Sequence, residues 1–151
     1  MLYPMTRIIS QDQVPALLPM EECIEVVGEA LRALAEGEAI VPLRQAIWLP
    51  DRSGLLGLMP AHLARPRTMG IKVVSVMPGN HGTELDAHQG TVLLFEAERG
   101  RLLAVIDASS ITAIRTAAAS AVATRALARE DAGDLVILGT GVQARSHLEA
   151  M

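Results

Sequence analysis

The chain has 151 residues, about half of them hydrophobic and a fifth charged, the balance of a folded globular protein of one domain or of one domain and the start of another. Its net charge of −4 argues against nucleic acid or an anionic membrane as the main partner. Trp48, Tyr3 and Phe95 are the only aromatics, so aliphatic side chains and alanine must fill the core, and base stacking on single strands has little to work with.

Taken in chain order, the opening "MLYPMTRIIS" lacks the basic start and apolar run of a secretion signal. "LPMEECIEVVGEALRALAEGEA" then predicts an amphipathic helix, with Met20, Ile24, Val27, Leu31 and Leu34 on one face, Glu21 and Glu22 in the first turn and Gly37 as the stop. Short apolar runs follow, broken by turn residues: "IVPLRQAIWLP", "LLGLMPAHL" and "GIKVVSVMPGN". "TVLLFEAERGRLLAVID" predicts a hairpin with Gly100 in its turn. Four or five strands after one helix predict an α+β domain with a largely antiparallel sheet. "SSITAIRTAAASAVATRALARED" predicts a long helix from about Ser110 to Arg129, capped by Ser109 or Ser110. "LVILG" reads as a short buried strand and "VQARSHLEAM" as the start of another helix. Cys23 is alone, so neither an internal disulfide nor a cysteine metal cluster is expected. No run of about 18 apolar residues stands ready to span a membrane, and a cytoplasmic protein without a metal site is the default expectation.

Gly139, Gly141 and Ala144 form G-x-G-x-x-A between that strand and that helix, the context in which the pattern carries meaning. Gly139 allows a tight turn, Gly141 lets backbone N–H groups approach a pyrophosphate, and Ala144 permits close packing of helix on strand. The phosphates would lie at the positive end of the new helix. Any tight strand-to-helix turn is the plain alternative. A dinucleotide fold needs several βα units and a ribose-reading residue about 20 positions on. Only the first strand and helix are present, so the chain reads as a fragment, a truncated product or one part of a split protein.

Three cations stand in apolar surroundings. Lys72 is the only lysine among 13 basic residues and lies within an otherwise apolar strand. Arg115 lies among small residues, which imply burial, with no carboxylate three or four residues away. Arg44 lies between Leu43 and Gln45 in a predicted strand. Together they could make an anion pocket for a substrate carboxylate, a role the guanidinium fork suits. Three separate surface cations are the alternative that spacing leaves open.

"PLR", "GIKVVSVMPGN", "HQGTVLLFEAERGRLLAVID", "ITAIRTAAASAVATRALARED" and "LVILGTGVQARSHLEAM" together resemble the ornithine cyclodeaminase/mu-crystallin family, in the family's order and over nearly the whole chain. The resemblance implies a substrate-binding and dimerisation domain over residues 1–109, a connecting helix over 110–130, and the truncated start of an NAD(P)-binding Rossmann domain over 131–151. It implies substrate-carboxylate contacts at Arg44, Lys72 and Arg115, and cofactor contacts at His88, Arg115, Gly139, Thr140, Gly141, Val142 and Gln143. Many members carry a hydroxyl residue just before the position of His88, where this chain has Ala87, so one cofactor hydrogen bond is in doubt. The cyclodeaminase aspartate falls beyond Met151, and no residue here replaces it. The implied activity is NAD- or NADP-dependent hydride transfer at the α-carbon of an amino acid or cyclic imine, with or without deaminating cyclisation, in a homodimer. A non-catalytic binder of NAD(P)H and ligand, or a bare dimerisation module, remains open beside it.

Overall fold

The computed structural model describes residues 5–151; Tyr3 and the first four residues of the opening segment read for a secretion signal lie outside the described residues. Among the described residues, seven strands form one sheet: β1 (Arg7–Ile9), β2 (Ala39–Ile40), β3 (Gln45–Trp48), β4 (Leu55–Leu63), β5 (Thr68–Val76), β6 (His88–Glu96) and β7 (Leu102–Asp107). Their order is β1-β7-β6-β5-β4-β2, with β3 also on β4. All neighbours are antiparallel except β1, which pairs parallel to β7. The largely antiparallel sheet is thus as expected, and the predicted hairpin is β6–β7, with Gly100 at φ +73° in its turn.

The sheet holds more strands than the apolar runs suggested, because β1 and β2 are too short to show a period. Pro60 sits inside β4 between the stretch paired with β3 and the stretch paired with β2. A missing N–H there leaves no outer ladder bond unmade. Opposite this gap, residues 41–44 leave the sheet as irregular chain. Arg44 is therefore not in a strand, as its neighbours had suggested, but in the exposed approach to β3.

Gly90 of β6 stands opposite Val74 of β5. A Cβ at Gly90 would overlap the Val73 carbonyl oxygen and come within 2.9 Å of Val74 Cα. The obstacle is backbone, so it cannot rotate away. Gly90→Ala is expected to destabilise the chain by about 2–3 kcal/mol, read as a lower urea midpoint with unchanged slope. An unchanged midpoint would mean the two strands separate at no cost.

Among the described residues, four α-helices accompany the sheet: α1 (Val14–Leu17), α2 (Met20–Ala35), α3 (Ala108–Leu127) and α4 (Val142–Ala150). The long predicted helix is α3, but its cap is neither serine. Asp107 accepts from the amides of Ser109 and Ser110, because the helix begins two residues earlier, directly off β7. Met20, Cys23 and Ile24 of α2 pack against Ala117, Ala118 and Ala121 of α3. Alanine on one side is what lets the two backbones approach so closely. Burial pushes the Cys23 thiol up from its ordinary value. The predicted apolar stripe on α2 is only half buried: Leu31 and Leu34 stay exposed, beyond the reach of this cluster.

The expected strand at "LVILG" does not form. Residues 133–140 pair with nothing, and Leu135, Val136 and Leu138 are 51 %, 82 % and 93 % exposed. A strand needs a neighbour for its backbone groups, and no parallel partner stands beside this segment among the described residues.

Candidate substrate and dinucleotide site

The sheet register sets the cations. Lys72 is opposite Met59 on β4 and Val92 on β6, so it stands at the middle of the sheet. Met59 and Lys72 are paired and share one face of the sheet, and β3 begins at Gln45 opposite Leu58, so Arg44 stands in the loop just ahead of that pairing, at the Met59 end of it. Side chains on alternate residues share a face, and Lys72 shares its own with Val74, which is 1 % exposed.

Helix α3 lies on that face. Lys72 Nζ donates to Thr112 Oγ1 at 3.2 Å, and Arg115 follows Thr112 by three residues on the same helix. Partial burial, then the charges of Arg115 and Arg44, hold the Lys72 ammonium below the usual lysine range. Crowding by neighbouring atoms, then Arg44, lowers Arg115 in the same way. The three cations therefore lie within electrostatic reach of one another. None takes part in an ion pair among the described residues. Arg115 is nevertheless exposed rather than buried, as its small neighbours had suggested. Ala117, Ala118 and Ala121 take the side packed on α2, while the arginine, three residues after Thr112, stays exposed within reach of the Lys72 and Arg44 charges.

A cleft of about 640 Å³ opens next to this group. Ala87 and His88 line it at the start of β6, Thr112 and Ala113 on α3, and Val142 and Gln143 at the start of α4. The cations do not themselves line the cleft; Thr112, which holds Lys72, is the wall they share with it. His81, which the motif reading passed over, also lines it. A lone histidine in a turn carries no sequence signal, and only the fold of the 78–88 loop brings it there.

Gly139 is at φ +106°, a conformation that favours glycine. A Cβ at Gly139 or Gly141 would meet nothing within 4 Å. Gly141 is the N-cap of α4 and offers no side chain to the first-turn amides. That turn, with Thr140, presents bare N–H donors to open space, the arrangement a pyrophosphate requires. Gly139, Thr140 and Gly141 stand beside the cleft rather than in its wall.

Helix α4 is tied to α3 through a histidine in its last turn. His147 Nδ1 lies 2.7 Å from the Gln143 carbonyl, so that nitrogen carries the proton, and Nε2 lies 2.9 Å from Ser120 Oγ. Ser120→Ala should speed amide exchange across α4 by about fivefold, the loss of one part-buried hydrogen bond. Exchange at the native rate would show that apolar packing alone seats the helix.

The match to known proteins follows the same ground. The model of the ornithine cyclodeaminase/mu-crystallin family matches residues 5–151. The chain belongs to this family. Mouse ketimine reductase mu-crystallin is 43 % identical over 114 residues, 76 % of this chain and 36 % of its own. The structure of Thermococcus litoralis Delta(1)-pyrroline-2-carboxylate reductase in complex with NADH and L-proline superposes with a TM-score of 0.90 and 39 % identity, covering 96 % of this chain and 45 % of that one. An archaeal alanine dehydrogenase dimer with bound NAD gives a TM-score of 0.89 and 36 % identity over 96 % of this chain and 44 % of its own. The chain thus spans less than half the length of these ornithine cyclodeaminase/mu-crystallin relatives. Among the described residues no helix is long and apolar enough to cross a membrane, and no cluster of metal-ligating side chains is present.

Proposed function

We propose that the protein built on this chain is an NAD(P)-dependent enzyme that moves a hydride at the α-carbon of an amino acid or cyclic imino acid. One observation carries the reading: three mutually repelling cations without a carboxylate partner, next to a cleft that ends at an open glycine turn. Like charges held together without a counter-ion raise the free energy of the empty site, and a bound carboxylate relieves it. Lys72 and the two arginines would fix that carboxylate, the arginines through their planar forks. The first turn of α4, with Gly139, Thr140, Gly141, Val142 and Gln143, would hold the dinucleotide phosphates. His88 would stand at the nicotinamide side, with Ala87 offering no hydroxyl. The dinucleotide supplies or accepts the hydride; this chain's residues bind, orient and exclude water, and orientation is much of the catalysis.

The reading concerns the protein in which this chain is joined to the remainder that its relatives possess. Residues 1–109 would then be the substrate and dimer domain, 110–130 the connector and 131–151 the opening of the dinucleotide domain. The face of the sheet away from α3 leaves Ile47, Leu56 and Met69 at 60 %, 39 % and 40 % exposure. Such a face suits a second copy of the chain, in a homodimer. The test is NADH oxidation with cyclic imines and with 2-oxo acids plus ammonia. Turnover of a cyclic imine supports the reductase reading, whereas tight NADH and ligand binding without turnover would make the protein a binder.

A further inference from the structure

We propose that Thr112 is a positioning residue for Lys72, accepting one ammonium proton so that the other two are aimed at the substrate carboxylate. The donor and acceptor roles follow from counting protons. Thr112 Oγ1 lies 2.6 Å from the Ala108 carbonyl, one turn back on α3, and a carbonyl only accepts. The single hydroxyl proton is therefore spent there. The ammonium has no lone pair, so at 3.2 Å it must donate to the free side of the same oxygen.

The residues paired with Lys72 on the sheet do not offer this. The cross-strand neighbours of Lys72 are Met59 and Val92, which offer no oxygen from their side chains. Without an acceptor, the flexible stem would leave the charge to sample many positions. Bonding back to the helix is a common habit of serine and threonine, and Thr116 does the same one turn on. Of these two threonines, Thr112 is the one that also receives a bond from a cation among the described residues. It is a wall of the cleft as well, so the ammonium it holds sits beside the space that faces the glycine turn.

The inference rests on the carboxylate reading of the three cations, and the test separates the two. Lys72 is the only lysine, so reductive methylation with ¹³C-formaldehyde reports on it and the N-terminal amine alone, and peptide masses resolve those. Labelling rates are measured across a pH series for the native chain, Thr112→Val and Thr112→Ser, with and without pyrrole-2-carboxylate as a planar carboxylate probe. Thr112→Val keeps the shape and removes the acceptor. It should label at least about threefold faster near neutral pH, the effect of losing one charge-assisted hydrogen bond at a part-exposed group. Thr112→Ser should behave as the native chain. The probe should slow labelling in the native and serine forms and much less in the valine form. Native labelling by Thr112→Val, or valine-like labelling by Thr112→Ser, overturns the role of Thr112. Loss of protection in all forms overturns the carboxylate reading and the aiming role with it. If circular dichroism shows Thr112→Val to be unfolded, Thr112→Ala is read against the same criteria.

Discussion

Lys72→Ala in the protein that joins this chain to its remainder is expected to lower kcat/KM for a cyclic imino acid by roughly 10- to 100-fold, the 1.5–3 kcal/mol of a hydrogen bond made to a charge. Two effects add. The carboxylate loses a donor, and the α-carbon loses one of the contacts that hold it before the nicotinamide. Dissociation of NADH should hardly change, since Lys72 is not on the glycine turn. The pH dependence carries a sign. The useful form is the ammonium, and burial with Arg115 and Arg44 makes it easier to deprotonate than an ordinary lysine. Activity should therefore fall on the alkaline side as pH rises through that lowered value. Lys72→Arg should abolish this limb, because a guanidinium stays charged. Steady-state kinetics across pH decide the matter. An unchanged kcat/KM in Lys72→Ala would remove the lysine from the site, whatever its neighbours do.

The 151-residue chain by itself is expected to show no micromolar binding of NADH or NADPH in a calorimetric titration, and no turnover. The turn at Gly139–Gly141 provides donors for phosphates only. A tight site also needs strands that carry a ribose-reading residue and a surface for the adenine. The segment that would lead such a sheet, residues 134–138, is unpaired, with Val136 and Leu138 almost wholly exposed. Apolar backbone without neighbours promotes association. Light scattering should therefore show self-association that weakens in Val136→Asp. Micromolar dinucleotide binding by this chain would mean that the glycine turn completes its site in another way, for example across a pair of chains.

Much of this architecture was legible because its signals are local. The 3.6-residue period placed α2, the alanine run placed α3, and the apolar runs with their turn residues placed β4 to β7. The three cations and the glycine turn stood out by chemistry against an apolar background. What failed was local reading of positions decided elsewhere. Asp107 lies at the end of a strand, so its part in capping α3 was hidden until the strand ran straight into the helix. Arg44 looks like a strand residue by its neighbours, but the break between β2 and β3 leaves it unpaired. "LVILG" has every local mark of a buried strand and is neither buried nor a strand.

The amino-acid sequence by itself determined the α+β class, the principal elements and the side chains on which the chemistry would turn, since each follows from periodicity, turn residues or charge within a short window. Only the tertiary structure decided which of those side chains meet. Arg44, Lys72 and Thr112 come from a loop, a strand and a helix, and the packing of α3 on the sheet with the turn into β3 brings them within reach of one another. The tertiary structure also left the segment before the glycine turn unpaired. A strand's hydrogen bonds are made to other strands, so its formation depends on partners that its own residues cannot supply.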